Sequence, residues 1–505
     1  MQELMLRFPH LPEQIFKKLD SESLFKCREV TQSWQNLLDG KNYPWLRIVN
    51  IPTLLKKRNT YLHLAAETGQ IQKLQTAYSE QEDINIKNKC GETSFHLACK
   101  NGRFQIVQLL LQSTDLEIKV NAKDNYGNTA FHFACQEGQL DVINILLENA
   151  ANLKIDLNAK GVKQKTAFIW ACYYGHSDVI KMFMENAAAF NIDLNAKDGY
   201  GVTGFMWACC NGHADVVKIL MQNAAKLSFD LNTKDPYGMT AFLLACIKGH
   251  KNVVKISIEN ATTFGIDIHR KDIKGSTGFH LACESGVADL VKIFMQNAAK
   301  LNFDLNTKNK VSWTAFHLAC VNGHTDVVKI FMENASTFGI DIKTRDHNGS
   351  TGFHLACKEG LTDVVKIFMQ NSAQLNFDLN MKDDLNWTAF HWACLKGHTD
   401  VVKIFMKNAF TLGINLNTES DKSVTAFHAA CSSGHFDTVK IFLENAAALS
   451  IDLMSKTQLG NTAYVLASFH DHKNIVELML KSADFLKLDP QTIEKTTYIL
   501  HINCS

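Results

Sequence analysis

An excess of charge of either sign is absent from this sequence. Its 52 Lys and Arg are matched by 51 Asp and Glu, a formal net charge of +1. A general nucleic-acid binder would carry a basic excess or stripe, so that class is not expected. No apolar run approaches the roughly 18 residues of a membrane span, so no membrane association is expected. The opening MQELMLRFPHLPEQIF lacks the charged-then-apolar order of a secretory leader. A cytoplasmic or nuclear location is the resulting expectation. Phosphate-cradling glycine loops and the G-x-S-x-G elbow are missing as well, and no catalytic residue or cofactor site is expected.

What the chain does have is repetition. A Thr recurs at 60, 93, 129, 166, 203, 240, 277, 314, 351, 388, 425 and 462, and every spacing after the first two (33 and 36) is 37 residues. Within one unit, TAFHLACVNGHTDVVKIFMENASTFGIDIKTRDHNGS, the Thr reads as a helix N-cap. A short apolar helix follows from Ala315 to Val321, ended by a left-handed turn at Gly323. A second helix begins near Asp326, with Val327, Val328, Ile330, Phe331 and Met332 at helical spacing. Asp346, Asn348 and Gly349 make the turn into the next unit. A second period overlies the first: units opening TGF at 203, 277 and 351 alternate with units opening TAF.

TAFHLAC followed by NGH and a second helix resembles the ankyrin motif over about residues 55–485, with a short tail at 486–505. The resemblance implies an all-α solenoid of about twelve helix–turn–helix units. Here Ala or Gly replaces the motif Pro, Phe95, Phe131, Phe316 and Phe353 replace its Leu, and each unit is four residues longer than usual. The extra residues, as in AAAFNIDLN, are expected to lengthen the second helix, with Phe190 and Ile192 packing under the next unit.

Residues 5–50 do not fit the repeat. Leu11-Pro12, Ile15, Leu19, Leu24, Cys27, Val30 and Trp34 follow an amphipathic helical pattern. A segment of about 40 residues is too small to bury these side chains alone, so it needs a partner. The pattern resembles an F-box. That family implies a helical unit held against a Skp-type adaptor and, through it, a cullin ubiquitin ligase. Those eight residues would contact the adaptor or form the segment's own core. A plain cap on the first repeat is the other reading.

Ten of the 14 cysteines (Cys99, Cys135, Cys172, Cys209, Cys246, Cys283, Cys320, Cys357, Cys394 and Cys431) hold one repeated position. Stacked helices stand about 10 Å apart, beyond the roughly 7 Å that a disulfide spans, so free buried thiols are expected. Eight histidines (His63, His96, His132, His280, His317, His354, His391 and His428) occupy the fourth position of the TAFH motif. Repetition spreads them in a row, whereas zinc needs about four converging ligands. They are expected to be structural, and no metal site is expected.

The expected function is target recognition for a Skp–cullin–F-box ligase. A non-degradative ankyrin scaffold and an effector that borrows a host ligase are the alternatives. In ankyrin families the concave face, made of turn tips and the exposed side of the first helix, holds the target protein. Tyr126, Tyr173, Tyr174, Tyr200 and Tyr237 fall on those positions, and Trp313 and Trp387, just before a unit's opening Thr, form a second candidate set. The motif His is replaced in the same region by Ile169, Met206 and Leu243. Tyrosines favour binding hot spots because they bury large area at low entropic cost.

Overall fold

A computed structural model describes residues 59–79, 83–113 and 117–482. The F-box-like segment, with Leu11, Pro12, Ile15, Leu19, Leu24, Cys27, Val30 and Trp34, and the tail at 486–505 lie outside the described residues. Two compact units share the chain: Met1–Pro236 with Glu259–Ile266, and Tyr237–Ile258 with Asp267–Ser505.

Twelve first helices begin directly after the twelve repeated threonines, from Tyr61–Thr68 to Ala463–Phe469. Each is followed by a second helix, such as Thr325–Phe338 after Ala315–Val321. Among the described residues there is no strand, only two isolated bridges, Lys197 with Thr203 and Lys382 with Thr388. Gly323 sits at φ 72° and reverses the chain between the helices.

The extra four residues extend the second helix in some units but not in others. Ala288–Leu301, Thr325–Phe338 and Phe436–Leu449 each run 14 residues. Ser177–Asn186 stops after ten, and a run of turns replaces its last winding. Ile192 is buried there and Phe190 half-buried.

Phe at the motif's Leu position builds an aromatic ladder. In the second unit Phe316 lies 5.1 Å from Phe331 and 5.7 Å from Phe368 of the next repeat, and Phe353 lies 5.1 Å from Phe368 and 5.7 Å from Phe405. These tilted ring pairs interlock neighbouring repeats beyond simple area burial. The ladder also gives the TGF units a physical reason. A Cβ on Gly204 would stand 2.8 Å from Phe168 and 2.9 Å from the Cys172 sulfur, and one on Gly352 would stand 2.7 Å from the Cys320 sulfur. The cysteines fill the remaining space as free, buried thiols. Burial pushes their pKa values up, which leaves them protonated and unreactive.

Histidine ties neighbouring repeats together wherever the motif carries it. In the Thr129 unit the backbone N–H of Thr129 donates to His132 Nδ1 at 3.1 Å, with the Thr129 hydroxyl 2.8 Å from the same nitrogen. Nε2 then lies 3.1 Å from the Lys165 carbonyl in the next repeat. Those partners require the neutral tautomer with its proton on Nε2. His96, His280, His317 and His391 repeat the bridge to Asn128, Trp313, Ser350 and Val424. The histidines after the helix-ending Gly reach the other way. His176, His324, His398 and His435 contact carbonyls 40 residues earlier at 2.7–2.8 Å.

Burial lowers the pKa of the motif histidines, to about 4 for His132, His317 and His391. The unfolded chain binds their protons near pH 6.5, so between about 4 and 6.5 it holds more protons than the fold and stability rises with pH. The melting temperature is therefore expected to be level above pH 7 and to fall as pH drops from about 6.5 toward 4. Replacing His132 and His317 with Leu, the residue already present at position 243, should shallow that slope. An unchanged slope in the double variant would contradict the assignment.

Candidate interaction surface

The sharpest polar feature of the first unit starts at a turn. Lys165 precedes the Thr166 cap, where no other repeat carries a cation: Val202 and Ser350 stand there in later repeats, and Glu92 before Thr93. Its side chain is 4% exposed, and its ammonium meets Asp198 Oδ2 of the next turn at 2.8 Å, with the carboxylate fully buried. Trp207 Nε1 donates to the same oxygen at 2.9 Å. Asp198 Oδ1 accepts the backbone N–H groups of Tyr200 and Val202 at 2.9 and 3.0 Å. One carboxylate thus holds a cation, an indole and a turn. Burial pulls the Lys165 pKa down against the opposing pull of Asp198. Burial alone would raise the Asp198 pKa, but Lys165 and the donated hydrogen bonds hold it below the usual range.

Aromatic rings surround this pair. The Lys165 ammonium lies 3.8 Å from the Trp207 ring centre, 5.3 Å from Tyr173 and 5.5 Å from Trp170. Tyr173 packs edge-on against Trp207 at 4.9 Å and Tyr174 at 5.0 Å, while Trp170 stacks on Tyr174 at 5.8 Å. Outside the cluster, the Lys163 ammonium stands 5.2 Å from the Tyr200 ring.

The structure therefore sorts the candidate residues by role. Tyr173 is half-buried and belongs to the cluster's interior packing. Tyr174, Tyr200 and Tyr126 are 46%, 52% and 66% exposed. Tyr237 is exposed too, but it belongs to the second unit. Trp313 and Trp387 are half-buried. Trp313 Nε1 donates to Asp346 at 3.1 Å, and Trp387 packs 5.2 Å from Trp392. Trp392 in turn donates to Asp383 at 2.8 Å beneath the Lys358 ammonium. These tryptophans support their turns.

Three participants escaped the sequence reading: Lys165, Asp198 and Trp207. The available signal was the Lys before Thr166, a cation at a position where the other repeats carry none. An asparagine series was also passed over. Asn158 accepts the Asp193 N–H at 2.8 Å and donates to the Asn191 carbonyl at 2.9 Å, joining its own loop to the next. Asn195 one repeat further on, and Asn417 seven repeats further on, do the same. Cys210, next to the buried Cys209, is half-buried.

Among the described residues no three His, Cys, Asp or Glu side chains converge in a way that could hold a metal ion. No helix there is long and apolar enough to cross a membrane.

Helix pairs repeated in register, with an exposed aromatic face and a row of turn tips, define a solenoid protein-interaction module. The chain belongs to the ankyrin-repeat family: the family model for ankyrin repeats (3 copies) matches it in overlapping stretches at 62–160, 153–229, 226–302, 259–346, 334–419 and 410–489. Ankyrin repeats bind protein partners. A further similarity is to a probable E3 ubiquitin-protein ligase, XBOS33, of Oryza sativa subsp. japonica, at 36% identity over 53 residues. That stretch is 10% of this chain and 10% of the rice protein.

Removing the buried carboxylate should leave Lys165 charged and unpaired. Asp198→Ala is expected to cost about 3–5 kcal/mol in urea denaturation followed by tryptophan fluorescence. Replacing both partners, Lys165→Met with Asp198→Asn, should cost less than the single change. Equal losses would show that the pair is not a unit.

Proposed function

We propose that this chain is the target-recognition subunit of a Skp–cullin–F-box ubiquitin ligase. In this reading the F-box-like segment at 5–50 docks on a Skp-type adaptor, and the repeats hold a target protein for ubiquitin transfer by other subunits. The observation that carries it is the joining of two sequence patterns in one chain. The Leu11-Pro12, Ile15, Leu19, Leu24, Cys27, Val30 and Trp34 pattern precedes a repeat array that carries an exposed aromatic surface. The short similarity to a probable E3 ubiquitin-protein ligase supports the same direction.

The division of labour follows from burial. The described repeats close their own core around phenylalanine, cysteine and alanine. Target contact falls to side chains that the core does not use, foremost Tyr174 and Tyr200. The chain then contributes placement, and the ligase complex contributes the chemistry.

Leu11→Ala with Pro12→Ala is expected to abolish co-purification with a Skp-type adaptor and cullin while leaving the melting of the repeats nearly unchanged. Undiminished adaptor capture by the double variant would overturn the docking role of these two residues. Failure of the unaltered chain to capture the adaptor would overturn the ligase reading itself.

A further inference from the structure

The turn edge of the first unit is polarised in a way that composition hides. One lysine per repeat, Lys87, Lys123, Lys160, Lys197 and Lys234, occupies the same turn position, and all five are exposed. Lys87 Nζ donates to the Lys123 carbonyl at 2.7 Å, Lys123 to the Lys160 carbonyl at 3.4 Å, and Lys197 to the Lys234 carbonyl at 3.3 Å. These ammonium groups are thereby held along the edge, each with N–H groups left to donate. Three carboxylates of the same turns point inward, and Asp235 beside Lys234 is half-buried. Glu92, Asp124 and Asp198 are 5%, 8% and 5% exposed. Asp124 accepts the N–H groups of Tyr126 and Asn128 at 2.9 and 2.7 Å. What reaches solvent from these turns is a cation row interleaved with Tyr126, Tyr200 and Lys163.

We propose that this edge binds an extended, acidic segment of the target protein, with Asp or Glu recurring at about every third residue. The inference rests on the reading of the repeats as the target-holding part of the chain. Successive repeats stand about 10 Å apart. Three residues of extended chain cover about the same distance, at roughly 3.3 Å each. A carboxylate at every third position therefore meets one lysine per repeat. Intervening side chains face the exposed Tyr200 and Tyr174.

Nearby acids bound the footprint. Glu137 faces Tyr174 from the preceding first helix. Asp156, Asp193 and Asp230 are exposed four residues before Lys160, Lys197 and Lys234. The segment accordingly lies over the turn tips and away from that flank. An acidic peptide fits this edge better than a nucleic acid. Lys165 covers the Trp207 ring and Lys163 lies over Tyr200, so the faces on which bases would stack are already taken.

The test is selection from a random peptide display library of about 12 residues on the full chain. It is run beside two variants, Lys123→Gln/Lys160→Gln/Lys197→Gln and Lys163→Ala/Tyr174→Ala/Tyr200→Ala. Enriched peptides are expected to be acidic, with carboxylates near every third position. They should lose on the order of ten-fold or more in affinity on both variants and weaken with added salt. Neutral or basic winners, no enrichment, or acidic winners indifferent to the substitutions would overturn the proposal. So would tighter binding of a random single-stranded oligonucleotide that the lysine variant abolishes. A pulldown of a Skp-type adaptor by the same chain separates the two readings. Adaptor capture without acidic enrichment removes only this inference, and acidic enrichment without adaptor capture removes only the ligase role.

Discussion

Everything in these repeats depends on hydrogen bonds that leave one unit and end in the next. A helix pair of this size cannot bury its own apolar face. It must stack, and stacking at a fixed register needs directional contacts as well as apolar area. Histidine supplies two of them, one forward from the Thr-capped first helix and one backward from the start of the second. Asparagine supplies a third between loops. The phenylalanine ladder then fills a space whose dimensions those bonds have set. The same geometry accounts for glycine at 204 and 352, where a side chain would strike the preceding repeat.

The fold was legible because its signals are local and repeated. Thr caps, the Gly after eleven of the twelve first helices and the apolar periodicity of the second helix all fell where expected, down to Ala315–Val321, with Asp471 at φ 58° in place of the last Gly. The second helix's end was harder to read. Helix continuation after Asn186 or Asn297 is a balance of small propensities, and the 14-residue helices occur only in some repeats. The candidate surface was half legible. Exposed tyrosines at turn tips can be read from position alone, and Tyr126 and Tyr200 are exposed as the pattern implied. Tyr173 and Tyr174 differ in exposure, half-buried against exposed, because adjacent helical residues point about 100° apart. Trp313 and Trp387 are half-buried: the Trp313 indole reaches Asp346 of the next turn, and Trp387 packs on Trp392 of its own repeat's first helix.

Charge was the least legible property. A net charge of +1 argues correctly that the chain as a whole is no polycation, but it says nothing of where the charges go. Asp124 and Asp198 fold inward to receive backbone N–H groups, while Lys123 and Lys197 beside them stay outside. Aspartate suits that inward role because its short side chain reaches the N–H groups two and four residues on, as Asp198 does for Tyr200 and Val202. An edge can therefore be basic in a chain of balanced composition, and its cations are spaced by the repeat itself.

Inter-repeat bonds hold the turn edge as a preformed surface before any partner arrives. Amide hydrogen exchange on the unbound full chain tests it most directly. The Asn125 N–H donates to the Cys90 carbonyl at 3.0 Å and the Gly199 N–H to the Lys163 carbonyl at 2.7 Å, each across to the preceding turn. Both amides are expected to exchange far more slowly than in an unstructured peptide, although they sit in exposed turns. Exchange of both at the unstructured rate, with the helices protected, would contradict the claim.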